Sequence, residues 1–329
     1  MSIPNLHRRD LLGLAGALAL STAPGGAWSQ ARWPTRPITI VVPFTPGTGI
    51  DVIARAIAPK LQERLGQAVI VDNKPGASGT IGFGFVASAP PDGHTLLLTA
   101  NGFVISPSLI KNVPYDPVRS FAPIALTASG ALALAVHPAF PAKNLQEAVR
   151  LLKSNPGKYS YASPGNSTPH HLAMELFKIN TGTSILHIPY KGTAGAFTDL
   201  IGGQVQAMIV GVHVALPHVN AGRLRLLAVA QQERVANAPD IPTFAEEGVR
   251  NSDVDLWYGL LAPAGTPPAV VTLLNQQVNE ILALPDVRSS LAQQGLDPIQ
   301  KPAQALTDLI ARDLVRWADV IRRANITAD

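Results

Sequence analysis

Backbone N–H groups at predicted helix starts are the groups in this sequence best suited to bind an anion. Residues 43–51, PFTPGTGID, close an apolar run and open an amphipathic one. Glycines there let N–H groups turn outward, and the first turn of a helix presents unpaired donors with a partial positive charge. Such a turn binds a carboxylate or a phosphate without a cationic side chain. Asp51 is expected to stabilise the helix start, and an ordinary strand-to-helix turn is the alternative for this segment alone.

Two further segments have the same composition. Residues 163–171, SPGNSTPHH, follow a predicted strand, with Thr168 as the expected N-cap and Pro169 at the first helical position. Residues 190–194, YKGTA, follow the next predicted strand, and Lys191 there is either a charge partner for an anion or a solvated side chain. Because ligands gather at the carboxyl ends of strands in open α/β sheets, three such turns predict an anion site more strongly than one.

The common catalytic and cofactor motifs are missing from the sequence. Residues 165–169, GNSTP, lack the final glycine of a nucleophile elbow, and no His-Glu-x-x-His or Walker motif occurs. Residues 82–87, GFGFVA, match the dinucleotide fingerprint in letters only, since no strand directly precedes them, and a packed helix start explains their glycines better. His170 and His171 are adjacent and diverge on a helix, so we predict no metal and no cofactor.

The composition is that of a globular chain large enough for two α/β cores. The 329 residues are 47% hydrophobic and carry a formal net charge of +4, with no cysteine. Lysine and arginine are spread along the chain, which argues against a nucleic-acid partner.

Residues 1–31 have the layout of a cleaved export signal. Arg8 and Arg9 precede an apolar run at 11–20, which is too short to cross roughly 30 Å of hydrocarbon. Cleavage after Ser29 or after Ala31 fits the pattern, and we expect the mature chain in the periplasm. The paired arginines approximate a twin-arginine signal, but ordinary secretory signals also begin with basic residues, so the route stays open.

Short apolar runs alternate with amphipathic stretches along the mature chain. This alternation of period 2 with period 3.6 predicts an α/β fold, and short apolar strands are typical of buried parallel sheets. We predict strands at residues 38–42, 68–71, 95–99, 132–136, 159–162, 185–188, 205–210, 224–230 and 256–261. The last third is predicted to be helical.

Ordered segments over nearly the whole mature chain resemble one family, the extracytoplasmic solute-binding proteins of tripartite tricarboxylate transport systems, also called Bug receptors. Besides PFTPGTGID, the segments that carry the resemblance are VDNKPGASGTIG at 71–82, APPDGHTLL at 89–97, SLIKNVPYDPVRSFAPI at 108–124, YASPGNSTPHHLAMELF at 161–177, IPYKGTAGAFTDLIGGQV at 188–205, LPHVNAGRLRLLAV at 216–229 and WYGLLAPAGTP at 257–267.

The resemblance implies a two-lobed Venus-flytrap fold, each lobe a mostly parallel sheet flanked by helices. Lobe one would comprise residues 32–128 and 253–329, and lobe two residues 129–252, with the ligand between them. It implies a receptor, not an enzyme, that binds a small organic carboxylate and delivers it to membrane transporter subunits. The alternatives are an accessory or sensory binding protein that acts on a sensor protein, and a hydrolase that uses Ser167 and His170.

The resemblance also implies which residues contact the ligand. From lobe one these are Phe44, Pro46, Gly47, Thr48 and Gly49, with Asn101 as a further candidate. From lobe two they are Ser163, Gly165, Asn166, Ser167, His170, Tyr190, Lys191, Gly192 and Thr193.

This sequence departs from the family pattern at two places. Thr48 interrupts a run of glycines in the first turn, which narrows the turn and adds a hydroxyl. Val210 and Gly211 stand where relatives often have an aspartate that could pair with a ligand ammonium, with His213 nearby. We therefore hypothesise a ligand that has a carboxylate and no amine.

Overall fold

The computed structural model describes residues 33–166, 168–190, 192–235, 238–324 and Ile326. The predicted export signal at 1–31 lies outside these residues. The chain divides into a short unit that ends at Thr35 and a unit from Arg36 to Asp329, and the fold described below is that of the second unit. None of the helices in the described ranges has the length and apolar character that a membrane span requires.

Two mixed sheets form the framework of this unit. The first has six strands in the order β11-β4-β10-β3-β1-β2. Its strands are β1 (Ile38–Val42), β2 (Val69–Asn73), β3 (Thr95–Ala100), β4 (Phe121–Gly130), β10 (Leu256–Pro263) and β11 (Leu296–Pro298). Strands β1, β2 and β3 are parallel, whereas β10, β4 and β11 join as antiparallel neighbours.

The second sheet has five strands in the order β7-β6-β8-β5-β9. Its strands are β5 (Leu132–Val136), β6 (Ser160–Ser163), β7 (Leu186–Pro189), β8 (Ala207–Gly211) and β9 (Arg225–Val229). Strands β6, β7 and β8 are parallel, and β5 is antiparallel to β8 and to β9. The α/β prediction is confirmed, but pairing in both sheets is mixed where we expected it to be mostly parallel.

Ten helices in the described residues flank the sheets. They are α1 (Gly49–Leu65), α2 (Thr80–Ala87), α3 (Gly102–Leu109), α4 (Leu145–Ser154), α5 (Pro169–Thr181), α6 (Thr193–Ile201), α7 (Val212–Asn220), α8 (Pro268–Ala283), α9 (Pro285–Gln293) and α10 (Ala303–Ala324). Thr48 and Thr168 cap α1 and α5 with their side chains, and each of these helices ends at a glycine in the left-handed region.

Strand β4 was not predicted, and its sequence explains why. FAPIALTASG mixes small residues with Pro123 and shows no period-two alternation, and a proline inside a run argues against a strand. Pro123 sits where the register against β10 shifts, between Leu260 and Leu261, so an irregularity in the ladder accommodates it. The short strand β11 was missed as well.

The glycines of GFGFVA serve packing, as we predicted. A Cβ atom on Gly82 would lie 2.7 Å from Cβ of Pro43, and one on Gly84 would lie 2.6 Å from Cγ of Pro114. Between them Phe83 is fully buried and meets the ring of Phe103 edge-on, with ring centroids 5.5 Å apart. Helix α2 therefore packs tightly beside the start of the turn that follows β1.

The chain passes between the sheets twice, at Ala131 from β4 to β5 and at residues 230–255 on the return. Buried hydrogen bonds fix the end of the return segment. The amide of Asn101 donates to the carbonyl oxygen of Asp255 (2.8 Å) and accepts from the N–H of Trp257 (3.0 Å). The Trp257 indole in turn donates to buried Asp313 of α10 (2.7 Å). The lobe boundaries at 128/129 and 252/253 stay predictions.

Candidate functional site

A buried carboxylate organises the turn after β1. Asp51 is 3% exposed, and its oxygens accept hydrogen bonds from the N–H of Gly47 (3.0 Å), the amide of Asn73 (3.0 Å) and the guanidinium of Arg55 (2.9 Å). Burial on its own would raise the pKa of Asp51, but these hydrogen bonds outweigh it and hold that pKa below its usual value. Asp51 therefore braces the turn as an anion; the sequence predicted its place at the helix start but not its bonds to Gly47 and Asn73.

The hydrogen bonds around Asp51 leave several backbone N–H groups at the start of α1 without an acceptor among the described residues. The N–H of Gly47 is used by Asp51 and that of Asp51 by the Thr48 hydroxyl. The N–H groups of Thr48, Gly49 and Ile50 have no acceptor in the described part of the chain. Three donors at one helix start can bind an anion.

Tyr258 of β10, which we did not predict as a site residue, lies over this turn. A Cβ atom on Gly49 would lie 2.5 Å from the Tyr258 hydroxyl oxygen, so only glycine leaves the tyrosine in place. Tyr258 is 4% exposed, and burial raises its pKa, so the hydroxyl keeps its proton. Nothing in the sequence linked positions 49 and 258, because they are brought together only by the pairing of β1 with β3 and of β3 with β10.

A second turn beside this one, also not predicted, has a left-handed backbone. Ala77 and Ser78 have φ angles of 45° and 55°, and Gly79 follows at 92°. Two consecutive non-glycine residues in this region cost of order 1 kcal/mol or more each and mark functional turns more often than ordinary ones. A Cβ atom on Gly79 would lie 3.2 Å from the Phe44 ring, so this turn contacts the predicted site. The cluster PGASG was the only sequence signal for it.

The turn at Ala77–Gly79 reaches across to the second sheet. Ser78 Oγ lies 3.7 Å from the position that a Cβ atom on Gly165 would take, and the carbonyl oxygen of Tyr190 lies 3.6 Å from it. Gly165 has φ 141°, where other residues are strained. Loops that follow strands β2, β6 and β7 therefore meet at one point.

The loop after β6 is held by its own hydrogen bonds. Ser163 is fully buried, and its hydroxyl lies 2.7 Å from Nε2 of His187 and accepts from the N–H of Gly165 (3.2 Å). The Thr168 hydroxyl donates to the carbonyl of Gly165 (2.8 Å) and accepts from the N–H of His171 (3.3 Å). Ser163 thus fixes the loop rather than pointing into open space.

Behind that loop lies a stack of three aromatic rings. His187 stacks on His171, with centroids 4.1 Å apart, and on Tyr161, at 4.7 Å. Burial lowers the pKa of His187 to about 3, with further contributions from His171 and Lys178. The Tyr161 hydroxyl donates to Glu175 (2.6 Å), which Lys178 also contacts. Through the bond of His187 to the Ser163 hydroxyl, this network supports the loop.

The remaining predicted contacts differ in their burial and in how far their polar groups are already bonded. The Tyr190 hydroxyl donates to Asp199 (2.5 Å), a bond that raises the pKa of Tyr190 to about 12. Asn101 is fully buried and both ends of its amide are engaged, as described above. Pro46 is exposed, Asn166 and Thr193 are half-buried, and a Cβ atom on Gly192 would meet open space. Ser167 and Lys191 lie outside the described residues.

Comparison with known proteins decides the family. The model of the tripartite tricarboxylate transporter family receptor matches residues 53–326. The chain belongs to this receptor family. The receptor is 35% identical over 319 residues to the protein BugT of Bordetella pertussis, an alignment that covers 96% of this chain and 98% of BugT.

Solved structures of similar proteins agree. Rpa4515 of R. palustris, solved with adipate, is 33% identical and has a TM-score of 0.85, and the match covers 90% of the receptor and 100% of Rpa4515. MatC from Rhodopseudomonas palustris, solved with bound malate, is 32% identical with a TM-score of 0.82, covering 88% of the receptor and 100% of MatC. A further neighbour, BugD, is named a periplasmic binding protein.

These comparisons confirm several predictions. The family, the two-lobed α/β binding-protein fold and a solute receptor rather than an enzyme are confirmed. The periplasm is supported for the receptor, whereas its export route stays a prediction. We call the first sheet with its helices lobe one and the second sheet with its helices lobe two; the residue boundaries of the lobes stay predictions. Across the described ranges of the receptor, no three metal-ligating side chains come together.

Proposed function

We propose that the receptor binds a small organic carboxylate between its lobes and delivers it to the membrane subunits of a tripartite tricarboxylate-type transporter. The observation that carries this proposal is the approach of Ser78 in lobe one to Gly165 in lobe two, where Ser78 Oγ lies 3.7 Å from the position that a Cβ atom on Gly165 would take. A ligand bound beside this contact would touch both lobes. Its binding would then favour the arrangement in which the lobes meet.

The donors proposed for the carboxylate are backbone N–H groups. In lobe one they are those of Thr48, Gly49 and Ile50, which Asp51 holds in place through Gly47. In lobe two the candidate donor is the N–H of His170 at the start of α5, which has no acceptor among the described residues. The positions on either side offer no free donor, because Pro169 has no N–H and the N–H of His171 donates to the Thr168 hydroxyl. Two helix starts from different lobes would thus act on one anion. The contacts expected from Phe44, Pro46, Ser167 and Lys191 stay predictions.

We further propose that the ligand has no amine. A ligand ammonium would need a carboxylate partner in the cleft. Asp51 is the acidic residue of the first turn, and both of its oxygens already accept hydrogen bonds. Val210 and Gly211 at the end of β8 supply no charge. An amino acid would therefore bind less tightly than its deaminated analogue.

The similar proteins support a carboxylate ligand. Adipate is bound in Rpa4515 and malate in MatC, and both are dicarboxylates without an amine. The family model describes receptors of a transporter, which supports delivery to membrane subunits.

A thermal-shift screen tests the ligand class. Mono-, di-, tri- and aromatic carboxylates are compared with their amino and amide analogues. A ligand at about 100 times its Kd stabilises the folded protein by about 2.7 kcal/mol, which raises Tm by several degrees. A shift confined to carboxylates without an amine is expected, and equal shifts for an amino acid and its deaminated analogue would sink the amine-free proposal.

Uptake by intact cells tests delivery. Cells that lack the receptor should lose uptake of the radiolabelled carboxylate identified in the screen, and the receptor supplied in trans should restore it. Unchanged uptake in the deleted strain, alongside binding in vitro, would contradict delivery and favour an accessory or sensory role.

A further inference from the structure

Two histidines lie at the cleft edge of the lobe-two sheet. His170 is the second residue of α5 and His213 the second residue of α7. These helices follow β6 and β8, which are parallel neighbours paired at Tyr161↔Ala207 and Ala162↔Met208. Their starts therefore lie side by side at the carboxyl edge of the sheet, the edge from which Gly165 meets Ser78.

The surroundings of each ring show which nitrogen can act. Both residues are half-buried, and in the described part of the chain the Nδ1 atom of each is enclosed with no hydrogen-bond partner. A Cβ atom on Gly211 would lie 2.6 Å from Cε1 of His213, so the ring packs directly against that glycine. Because an enclosed Nδ1 finds no acceptor, the neutral ring keeps its proton on Nε2, which is then the nitrogen that can donate to a ligand.

Both rings are uncharged at neutral pH. Burial, together with the charge that His213 would carry, lowers the pKa of His170 to about 4, and burial lowers that of His213 to about 4. The pair is also too small to be a metal site, since no group of three ligating side chains occurs in the described ranges. What the pair offers is two neutral N–H donors for which the described residues supply no acceptor.

We propose that His170 and His213 bind the second carboxylate of a dicarboxylate whose first carboxylate is held by the turn after β1. This inference rests on the proposed function, because the first carboxylate fixes the ligand's orientation. Two donors side by side match the two oxygens of a carboxylate. An ammonium at this end would meet donors instead of acceptors, and an apolar end would leave both donors unpaired.

Calorimetric titration with matched ligands tests the pair. The probes are succinate, glutarate and adipate, each beside the unbranched monocarboxylate of equal carbon number. The variants are His170→Leu and His213→Leu, which remove the donor, and His213→Gln, which keeps an N–H donor. His218→Leu is the matched control, because His218 lies five residues along α7, on a different side of the helix, edge-on to Phe197 at 4.9 Å.

The expected result is a loss of selectivity. Each Leu variant should weaken the best dicarboxylate by about tenfold or more, as for a lost hydrogen bond to a charged group, and change the matched monocarboxylate by less than about threefold. His213→Gln should recover most of the dicarboxylate affinity, and His218→Leu should match the wild type.

Other results overturn the inference in distinguishable ways. Suppose that the wild type binds carboxylates and that the Leu variants weaken mono- and dicarboxylate binding equally, or leave both unchanged. The pair then does not bind the second carboxylate, and the proposed receptor function stands. If no dicarboxylate binds to the wild type while a monocarboxylate raises its Tm, the dicarboxylate assignment fails alone. If no carboxylate binds at all, the proposed function fails with it.

Discussion

The two sides of the cleft hold their loops in place by opposite means. In lobe one, Asp51 is ionised and joins Gly47, Asn73 and Arg55, so a fixed charge shapes the turn. In lobe two, the loop after β6 rests on Ser163 and the neutral His187 stack. A buried carboxylate can stay ionised behind a turn when hydrogen bonds satisfy its oxygens. Imidazoles near an anion site can donate N–H groups to the ligand while they stay uncharged. The difference predicts that the lobes respond differently to mutation and to pH.

The largest effect is expected from Asp51→Ala. The substitution removes three hydrogen bonds and leaves Arg55 with only the side-chain oxygen of Asn73 (3.1 Å) and no carboxylate, so we expect a loss of about 2 to 4 kcal/mol in the free energy of unfolding. Carboxylate affinity should fall as the turn loosens. Urea denaturation measures the first quantity and calorimetry the second.

Asp319→Ala is the control for this prediction. Asp319 pairs with Arg322 and Arg323 at the surface of α10, where an ion pair contributes about 0 to 1 kcal/mol. Equal destabilisation by the two substitutions would show that Asp51 is an ordinary surface carboxylate.

A smaller effect is expected from Gly49→Ala. The new methyl group would lie 2.5 Å from the Tyr258 hydroxyl and should destabilise the protein by about 1 to 3 kcal/mol through overpacking. Removing that hydroxyl in a Gly49→Ala/Tyr258→Phe double variant should recover part of the loss. A double-mutant cycle in urea measures the coupling, and additive effects would place Tyr258 away from the turn.

Acid should destabilise lobe two through its histidines. The pKa of His187 is about 3 in the folded protein, against about 6.5 when unfolded. The unfolded chain therefore binds the proton first, so this contribution to stability is complete above pH 6.5 and is lost as pH falls from 6.5 toward 3. The loss approaches about 1.4 kcal/mol per pH unit for one histidine within that window.

The comparison for this prediction is His187→Gln. Its melting temperature should start lower at pH 7, because the ring stack is lost, but should fall less between pH 6.5 and pH 5 than that of the wild type. Parallel curves for the two proteins would contradict a buried neutral His187.

The smallest effect is expected from Ser78→Gly. Glycine relieves the left-handed strain at φ 55° and should stabilise the protein by up to about 1 kcal/mol. Loss of the hydroxyl that faces Gly165 should weaken ligand binding by a few fold at the same time. Higher stability with unchanged affinity would remove Ser78 from the cleft contacts.

The sequence allowed the fold to be predicted where its signals are local. Thr168 as a cap, Pro169 at a helix start and the packing glycines of GFGFVA are each decided within a few residues. Strand β4 was missed because its burial comes from β10 and β11, which follow it by more than a hundred positions in the chain. Local pattern carries no trace of that pairing.

The site was predictable as a set of loops and not as a set of contacts. The sequence pattern predicted loops at residues 43–51, 163–171 and 190–194. It gave no sign that Tyr258 and Ser78 lie near these loops, whereas the fold brings the two residues close to Gly49 and Gly165. In the other direction, Asn101 and Tyr190 look like free polar groups in the sequence, and distant partners at Asp255 and Asp199 occupy them. Whether a polar side chain is available depends on its partner, which the sequence does not place.

The contact between the lobes can be tested most directly with cysteines, since the chain has none of its own. Ser78 Oγ lies 3.7 Å from a Cβ position on Gly165, so a thiol at position 78 would lie close to a side chain at position 165, and the Gly165→Cys single variant measures the strain of a side chain at φ 141°. In a Ser78→Cys/Gly165→Cys double variant, with each single variant as control, cross-linking under mild oxidation is followed with and without adipate and the best carboxylate of the thermal screen. We expect the bound carboxylate to accelerate the cross-link and the closed product to release it slowly. A cross-link that forms equally fast with and without a carboxylate that binds would contradict a ligand held between the lobes.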